Sequence, residues 1–204
     1  GFKGSWLCAW LLDLGATVAG YSVDVPTKPS HFEALGLADR IEHFEGDVRN
    51  KNSLQNTLNR FNPDIVFHLA AQSLVRESYE NPVLTFETNV VGTLNLLDCL
   101  RDQPSVIATI IITSDKCYEN FEWLWGYREN DRLGGKDPYS ASKACAEIIS
   151  RVYMESFFNE KRPSVATTRA GNVIGGGDWA LDRIVPDCVR AWSKGEKTNL
   201  RNPK

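Results

Sequence analysis

Short apolar runs alternate with helix-period segments along most of this chain, and that alternation restricts it to a parallel sheet flanked by helices. Trp6, Leu7, Trp10, Leu11 and Leu14 recur at helical spacing over 4–14, and Gly15 supplies the stop. The runs at 16–21, 41–45 and 64–69 read as short strands. A polar helix is predicted at about 51–60, closed by Asn62-Pro63. Over 82–100, Val83, Phe86, Val90, Val91, Leu94, Leu97 and Leu100 form an amphipathic helical stripe, and a dense β-branched run follows at 106–113. A helix over 139–159 and a strand over 164–169 continue the alternation. Consecutive β-α-β units of this kind imply an α/β fold with a doubly wound parallel sheet. Two segments break the pattern. Residues 121–137 mix aromatics, charges and Gly134-Gly135 and read as a loop, and 172–179 is a glycine-rich connection into a helix at about 183–194.

At 204 residues the chain is long enough for one sizeable core, so one main domain is expected. A formal net charge of −3 and the lack of any Lys/Arg-rich run argue against nucleic acid as a partner. The five cysteines are odd in number, widely spaced and free of any C-x-x-C or Cys/His ligand pattern. They read as reduced thiols with no metal site, which fits a cytoplasmic protein. No apolar run approaches the roughly 20 residues that span a bilayer, and the start lacks a charged region ahead of its apolar stretch. No membrane association is expected.

Five places carry chemistry. Gly1-Phe2-Lys3-Gly4 stands directly before a helix, where glycines let a phosphate approach backbone N–H groups and the helix dipole favours its charge. An ordinary helix start is the competing reading. A ribose-binding acid is expected after the next strand, yet the position holds Ser22, with Asp24 further along the loop. NADP therefore stays open beside NAD. Asp47-Val48 follows the next strand and either meets an adenine edge or caps the helix ahead of Lys51. Tyr139 and Lys143 are four apart and share a helix face, where an ammonium beside a phenol favours phenolate and lets tyrosine take a hydroxyl proton. Thr113, Ser114, Asp115 and Lys116 end the β-branched run at the sheet's carboxyl edge, where open α/β sheets place their sites. Ser114 completes a hydride-transfer set with Tyr139 and Lys143, and Asp115 with Lys116 offers an additional acid and base.

Gly1-x-x-Gly4, the stretch 68–72 (HLAAQ), 88–93 (TNVVGT), Ser114-Asp115-Lys116-x-Tyr118 and 139–143 (YSASK) stand in an order that resembles the extended branch of the short-chain dehydrogenase/reductase superfamily. The likeness runs over essentially the whole chain. Within that branch, a Ser-Asp-x segment is similar to the nucleotide-sugar 4,6-dehydratases. Lys116, the stretch 71–76, Tyr118-Glu119-Asn120 and the stretch 175–183 are similar to those acting on CDP-glucose. The resemblance implies a Rossmann-like fold with NAD held by Gly1, Phe2, Gly4, Ser22, Asp47, Val48, Leu69, Ala70, Ala71, Asn89, Thr113, Tyr139 and Lys143. It implies an internal redox cycle in which Tyr139 and Ser114 act on the sugar 4-hydroxyl and Asp115 protonates the departing 6-hydroxyl. Lys116 then serves as the base at carbon 5 or, because lysine is ordinarily protonated at neutral pH, stabilises the enolate as a cation. Gln72, Arg76, Ser114, Asn172 and Arg183 are implied substrate contacts, although Asn172 and Arg183 also suit a cap or a surface position.

His68, at the end of an apolar strand, reads as a packed residue. Phe121, Trp123, Trp125 and Tyr127 either line the sugar pocket or anchor their loop. Relatives pair through helices matching 82–100 and 139–159, so a homodimer or higher homo-oligomer is implied. Against those relatives, 1–171 corresponds to the NAD-binding domain without its first strand, and 172–204 to the start of the nucleotide-sugar-binding region. That strand is central to the sheet, so the isolated polypeptide is expected to fold poorly. A 4-epimerase on the same scaffold is the nearest rival, since it needs Ser114, Tyr139 and Lys143 but no acid and base at 115 and 116. A non-catalytic nucleotide-binding module is the rival from another class.

Overall fold

The structure is a computed structural model that describes residues 1–159 and 162–200. The backbone divides into two units, one made of Gly1–Gly20, Asp24–His43 and the segment from Val173, the other of Tyr21–Val23 and Phe44–Asn172. Helices α1 (Phe2–Asp13), α2 (His31–Ala34) and α8 (Ile184–Ser193) belong to the first. Strands β1 (Ala19–Ser22) and β2 (Glu42–Glu45) pair in a separate two-stranded sheet.

The second unit is built on a three-stranded parallel sheet in the order β3 (Ile65–His68), β4 (Ala108–Ile112), β5 (Ser164–Thr168). Ile65 lies opposite Ala108 and Ala108 opposite Ser164, so the three carboxyl ends finish together at His68, Ile112 and Thr168. Five helices of this unit accompany the sheet: α3 (Lys51–Phe61), α4 (Val75–Glu80), α5 (Pro82–Phe86), α6 (Gly92–Leu100) and α7 (Pro138–Ser156), of which α7 packs on β5. The core gathers Leu54 and Leu58 from α3, Leu96, Leu97 and Leu100 from α6, and Val106, Ile111 and Phe158. Leu54 and Leu58 explain how so polar a segment as α3 becomes a helix, because two apolar residues four apart give it one buried stripe.

Local chemistry sets the helix ends. Asn50 caps α3, its side chain accepting from Ser53 N at 3.1 Å, and Asn62 ends it in the left-handed region at φ 53°. Asp137 caps α7 through Ser140 N at 2.9 Å, with Pro138 in the first turn. Between α5 and α6 the predicted single helix widens to one π-helical turn, Glu87–Val91, without interrupting its path.

The parallel α/β architecture and the five strands agree with the sequence reading. Among the described residues the two-stranded and three-stranded sheets share no strand pairing. The sequence reading missed α2, α4 and the 3-10 turns Leu37–Asp39 and Asp115–Cys117. Each is too short for an apolar period to show.

Gly92 is a close-approach glycine: an added Cβ would lie 2.6 Å from Val48 Cγ2. Because Val48 is itself buried, neither side has room to give. Gly92→Ala is expected to destabilise the protein by about 1–3 kcal/mol through overpacking, read as a shifted urea midpoint. An unchanged midpoint would contradict this packing.

Candidate active site

β4 delivers its last residues to the carboxyl edge of the sheet. Thr113 N donates to Thr168 O at 2.8 Å and Asp115 N to Ala170 O at 3.1 Å, so the backbone beyond β4 stays tied to the backbone beyond β5. Ser114 is extended and caps the 3-10 turn: its Oγ accepts from Lys116 N at 3.3 Å and donates to Asp115 Oδ1 at 3.0 Å. The turn buries Ser114 and leaves the Asp115 and Lys116 side chains exposed.

α7 packs against this turn. Its inner face carries Tyr139 and Lys143, both buried, and Lys143 Nζ donates to Ile112 O at 3.2 Å. Ser114, Asp115, Lys116, Tyr139 and Lys143 therefore share one edge of this unit, as the sequence reading expected. A phenol and an ammonium one helical turn apart, beside a serine hydroxyl, can take a proton from an alcohol and hold the resulting oxygen. The neighbouring carboxyl and amine add proton-transfer groups. His68 is packed, as expected: it is buried, with Nε2 3.0 Å from Thr93 Oγ1. Burial, and after it the Lys143 charge, push its pKa down to about 3.

Several residues assigned to ligand contact also make contacts within the protein. Asn89, at the π-helical turn, accepts from Gln72 N at 2.8 Å and donates to Gln72 O and Ser142 Oγ, each at 2.9 Å. It clamps the loop after β3 from within and is buried. Gln72 is turned inward too, donating to Leu74 O and Thr85 Oγ1 while accepting from Leu74 N. These bonds hold the amide within its own loop. Val48 is buried against Gly92, and the Thr113 hydroxyl is bound by Glu147 and Thr168 O. Asp47 caps nothing, since Asn50 does that. Its carboxylate is engaged by Arg49 N, Nε and Nη2, and the Arg49 hydrogen bond holds it below the ordinary carboxylate range.

The other assigned positions stay accessible. Leu69, Ala70 and Ala71 line the half-buried loop at the end of β3, Ser22 ends β1, and Asn172 is exposed. Arg76 lies exposed on α4 with Glu80 at 3.4 Å. In the first unit, Arg183 Nη1 pairs with Asp178 Oδ2 at 3.0 Å and the guanidinium lies 5.7 Å over the Phe2 ring. Gly1 caps α1 and Gly4 sits in its first turn. Two glycines at a helix start, where backbone N–H groups are open to an anion, fit the diphosphate of a dinucleotide. Among the described residues no group of His, Cys, Asp and Glu could hold a metal ion, and no helix is long and apolar enough to cross a membrane.

The loop over 119–137 is anchored to the site. Tyr118 bridges Leu133, and Gly135 lies against the start of α7, where an added Cβ would fall 2.4 Å from Ala141 N. Tyr118, Tyr127, Trp123 and Phe121 stack in series at 5.1–5.5 Å, which matches the loop-anchoring alternative. Glu147 and Arg169 were not singled out from sequence. Only the spacing of Glu147, four residues past Lys143, gave a hint.

The GDP-mannose 4,6 dehydratase family profile matches residues 1–198. The chain belongs to that family. It is 51% identical to the CDP-glucose 4,6-dehydratase of Salmonella typhimurium, an alignment that covers 100% of this chain and 58% of that protein. Among solved structures, it is similar to UDP-glucose 4-epimerase from Thermus thermophilus in complex with NAD, with a TM-score of 0.83 and 30% identity, covering 96% of this chain and 61% of that one. A dTDP-glucose 4,6-dehydratase from Streptomyces venezuelae with NAD bound gives a TM-score of 0.81 and 25% identity, covering 96% of this chain and 60% of that one. The family member described here thus spans about three-fifths of the length of these relatives.

The buried neutral state of His68 has a pH signature. Its folded pKa of about 3 lies below the unfolded value near 6.5, so unfolding takes up a proton below pH 6.5. Stability is full above that pH and falls by about 1.4 kcal/mol per pH unit as the pH drops from 6.5 toward 3. A His68→Gln variant is expected to show a flatter stability profile between pH 5 and 6.5 in urea titrations. Parallel profiles for the two proteins would refute a buried neutral imidazole.

Proposed function

We propose that this chain carries the dinucleotide-binding and catalytic part of a nucleotide-sugar 4,6-dehydratase that converts CDP-glucose to CDP-4-keto-6-deoxyglucose with NAD as cofactor. The observation that carries this reading is the Ser114-Asp115-Lys116 turn packed against the start of α7, where Tyr139 and Lys143 are buried. The 51% identity to a protein named for CDP-glucose supports the choice of nucleotide. NAD when bound supplies the acceptor for hydride from carbon 4 and the donor of hydride to carbon 6.

The chain's own groups handle protons and position. Tyr139, favoured as phenolate by Lys143, takes the proton of the 4-hydroxyl while Ser114 hydrogen-bonds the same oxygen. The resulting 4-ketone acidifies the proton on carbon 5. Lys116 removes that proton, or holds the enolate as a cation while another base acts, Asp115 protonates the 6-hydroxyl, which departs as water, and the base returns a proton to carbon 5 as carbon 6 is reduced. Lys143 also holds the nicotinamide ribose. Gly1, Phe2 and Gly4 hold the diphosphate of the dinucleotide, Ser22 the adenosine ribose, and the loop Leu69–Ala70–Ala71 the nicotinamide side through its backbone. Arg76, Asn172 and Arg183 serve the nucleotide sugar. A 4-epimerase would use Ser114, Tyr139 and Lys143 but would have no work for the Asp115 carboxyl.

This reading includes self-association and a cytoplasmic setting. α7 packs beside α5 and α6, and Val83, Val91, Leu94, Ile148 and Val152 on these helices are left exposed. A second copy would cover such a face. Leu94→Glu combined with Val152→Glu is expected to shift the full-length protein from dimer to monomer in light scattering.

The chemical test is Asp115→Asn in the full-length protein. Formation of the 4-keto-6-deoxy product is expected to fall about 100- to 10,000-fold, while a 4-keto sugar that has lost hydrogen but not water still forms and is seen by mass spectrometry. An undiminished dehydration rate would falsify the assignment. Turnover of dTDP-glucose but not CDP-glucose would overturn the substrate.

A further inference from the structure

Glu147 and Arg169 are charged and largely withdrawn from solvent, and the reaction outlined above uses neither. Glu147 lies one helical turn beyond Lys143 and two beyond Tyr139, on the buried face of α7. Its side chain is 4% exposed and that of Arg169 14%, with Nη2 of the arginine 3.0 Å from Oε2 of the glutamate. Thr167 Oγ1 donates to the same carboxylate oxygen at 2.9 Å, and Thr113 Oγ1 donates to Oε1. Arg169 also donates from Nη1 to Glu129 O at 2.9 Å and lies 4.8 Å over the Tyr118 ring. Burial raises the Glu147 carboxyl, but the hydrogen bonds from Arg169, Thr113 and Thr167 and the Arg169 charge outweigh it and hold the group below the usual range.

The partners of this pair share one destination. Thr113 immediately precedes Ser114, and Tyr118 immediately follows the Asp115–Cys117 turn. Ala170, next to Arg169, accepts the Asp115 N–H, and Glu129 lies in the loop that returns through Leu133 to Tyr118. At its helix end the pair is one turn from Lys143. A buried ion pair is a poor source of net stability, since desolvation offsets most of the attraction. A planar guanidinium fork meeting a carboxylate is, however, strongly directional, and small displacements of reacting groups are costly in rate.

We propose that the Glu147–Arg169 pair is a positioning device that sets the separation between the Tyr139–Lys143 face of α7 and the Ser114–Lys116 turn. The proposal rests on the dehydratase reading. Neither residue touches the reacting atoms; both act through Thr113, Tyr118 and the course of α7.

The test compares wild type, Glu147→Gln, Arg169→Lys, Arg169→Gln and Thr113→Val as full-length proteins. Circular dichroism establishes the temperature below which each is folded, and kcat and KM for CDP-glucose are measured there. For Glu147→Gln, kcat is expected to fall about 10- to 100-fold while KM stays within about threefold. Arg169→Lys should recover part of what Arg169→Gln loses. Thr113→Val leaves the ion pair in place and nearly conserves volume, so it keeps the question answerable if Glu147→Gln does not fold; a several-fold loss in kcat is expected. Folded variants with wild-type kcat, whatever their melting temperatures, overturn the positioning role and leave the functional reading standing. Wild-type protein that forms no 4-keto product from any nucleoside diphosphate glucose overturns the functional reading, and the positioning role with it.

Discussion

A helix that turns charges of both signs inward must be met by partners on the sheet, and α7 does this with Lys143 and Glu147, one turn apart. The ammonium of Lys143 ends on the carbonyl of Ile112, and the carboxylate of Glu147 takes the hydroxyl of Thr113. Two consecutive residues at the end of β4 are thereby held by two consecutive turns of one helix. Ser114 is the next residue along. Its place is thus set by polar contacts on one side and by the carbonyls of Thr168 and Ala170 on the other. The register of β4 against β5 follows from the same contacts. A slip of one residue would exchange the faces of Thr113 and Ser114 and leave Oε1 of Glu147 without its Thr113 donor.

The legible parts of the site were those that depend on spacing within one element. Tyr139 and Lys143 share a face because any helix makes residues four apart neighbours, and Ser114-Asp115-Lys116 ends a run too β-branched to be anything but a strand. Strand and helix order followed from the same periodicities, apart from elements as short as α2 and α4. Contacts between elements were not legible. Asn89 and Gln72 stand in family motifs, yet a motif does not say which way an amide points, and here the Asn89 amide holds the Gln72 backbone while the Gln72 amide bonds Leu74 and Thr85. Val48 and Gly92 form a packing pair 44 positions apart, visible only once the helix lies on the loop. Glu147 is one more acidic residue on an amphipathic helix until Arg169, 22 positions later and just past β5, gives it a partner.

The site divides into groups fixed by the fold and groups left to solvent. Ser114, Tyr139 and Lys143 are buried, whereas Asp115 and Lys116 are exposed on the same short turn. On the proposed reading this matches the two halves of the chemistry. Hydride transfer needs the sugar oxygen, a hydroxyl and a phenol in one fixed geometry, and rigid surroundings provide it. Elimination needs a carboxyl and an amine that reach carbons 5 and 6 only after carbon 4 is oxidised, and side chains on a solvent-facing turn can adjust to that change. Covering by the bound sugar then decides how strongly their charges act, because the same groups interact far more strongly once water is displaced. On that reading the acid-base pair is completed by its substrate, while the protein fixes the Ser114, Tyr139 and Lys143 set.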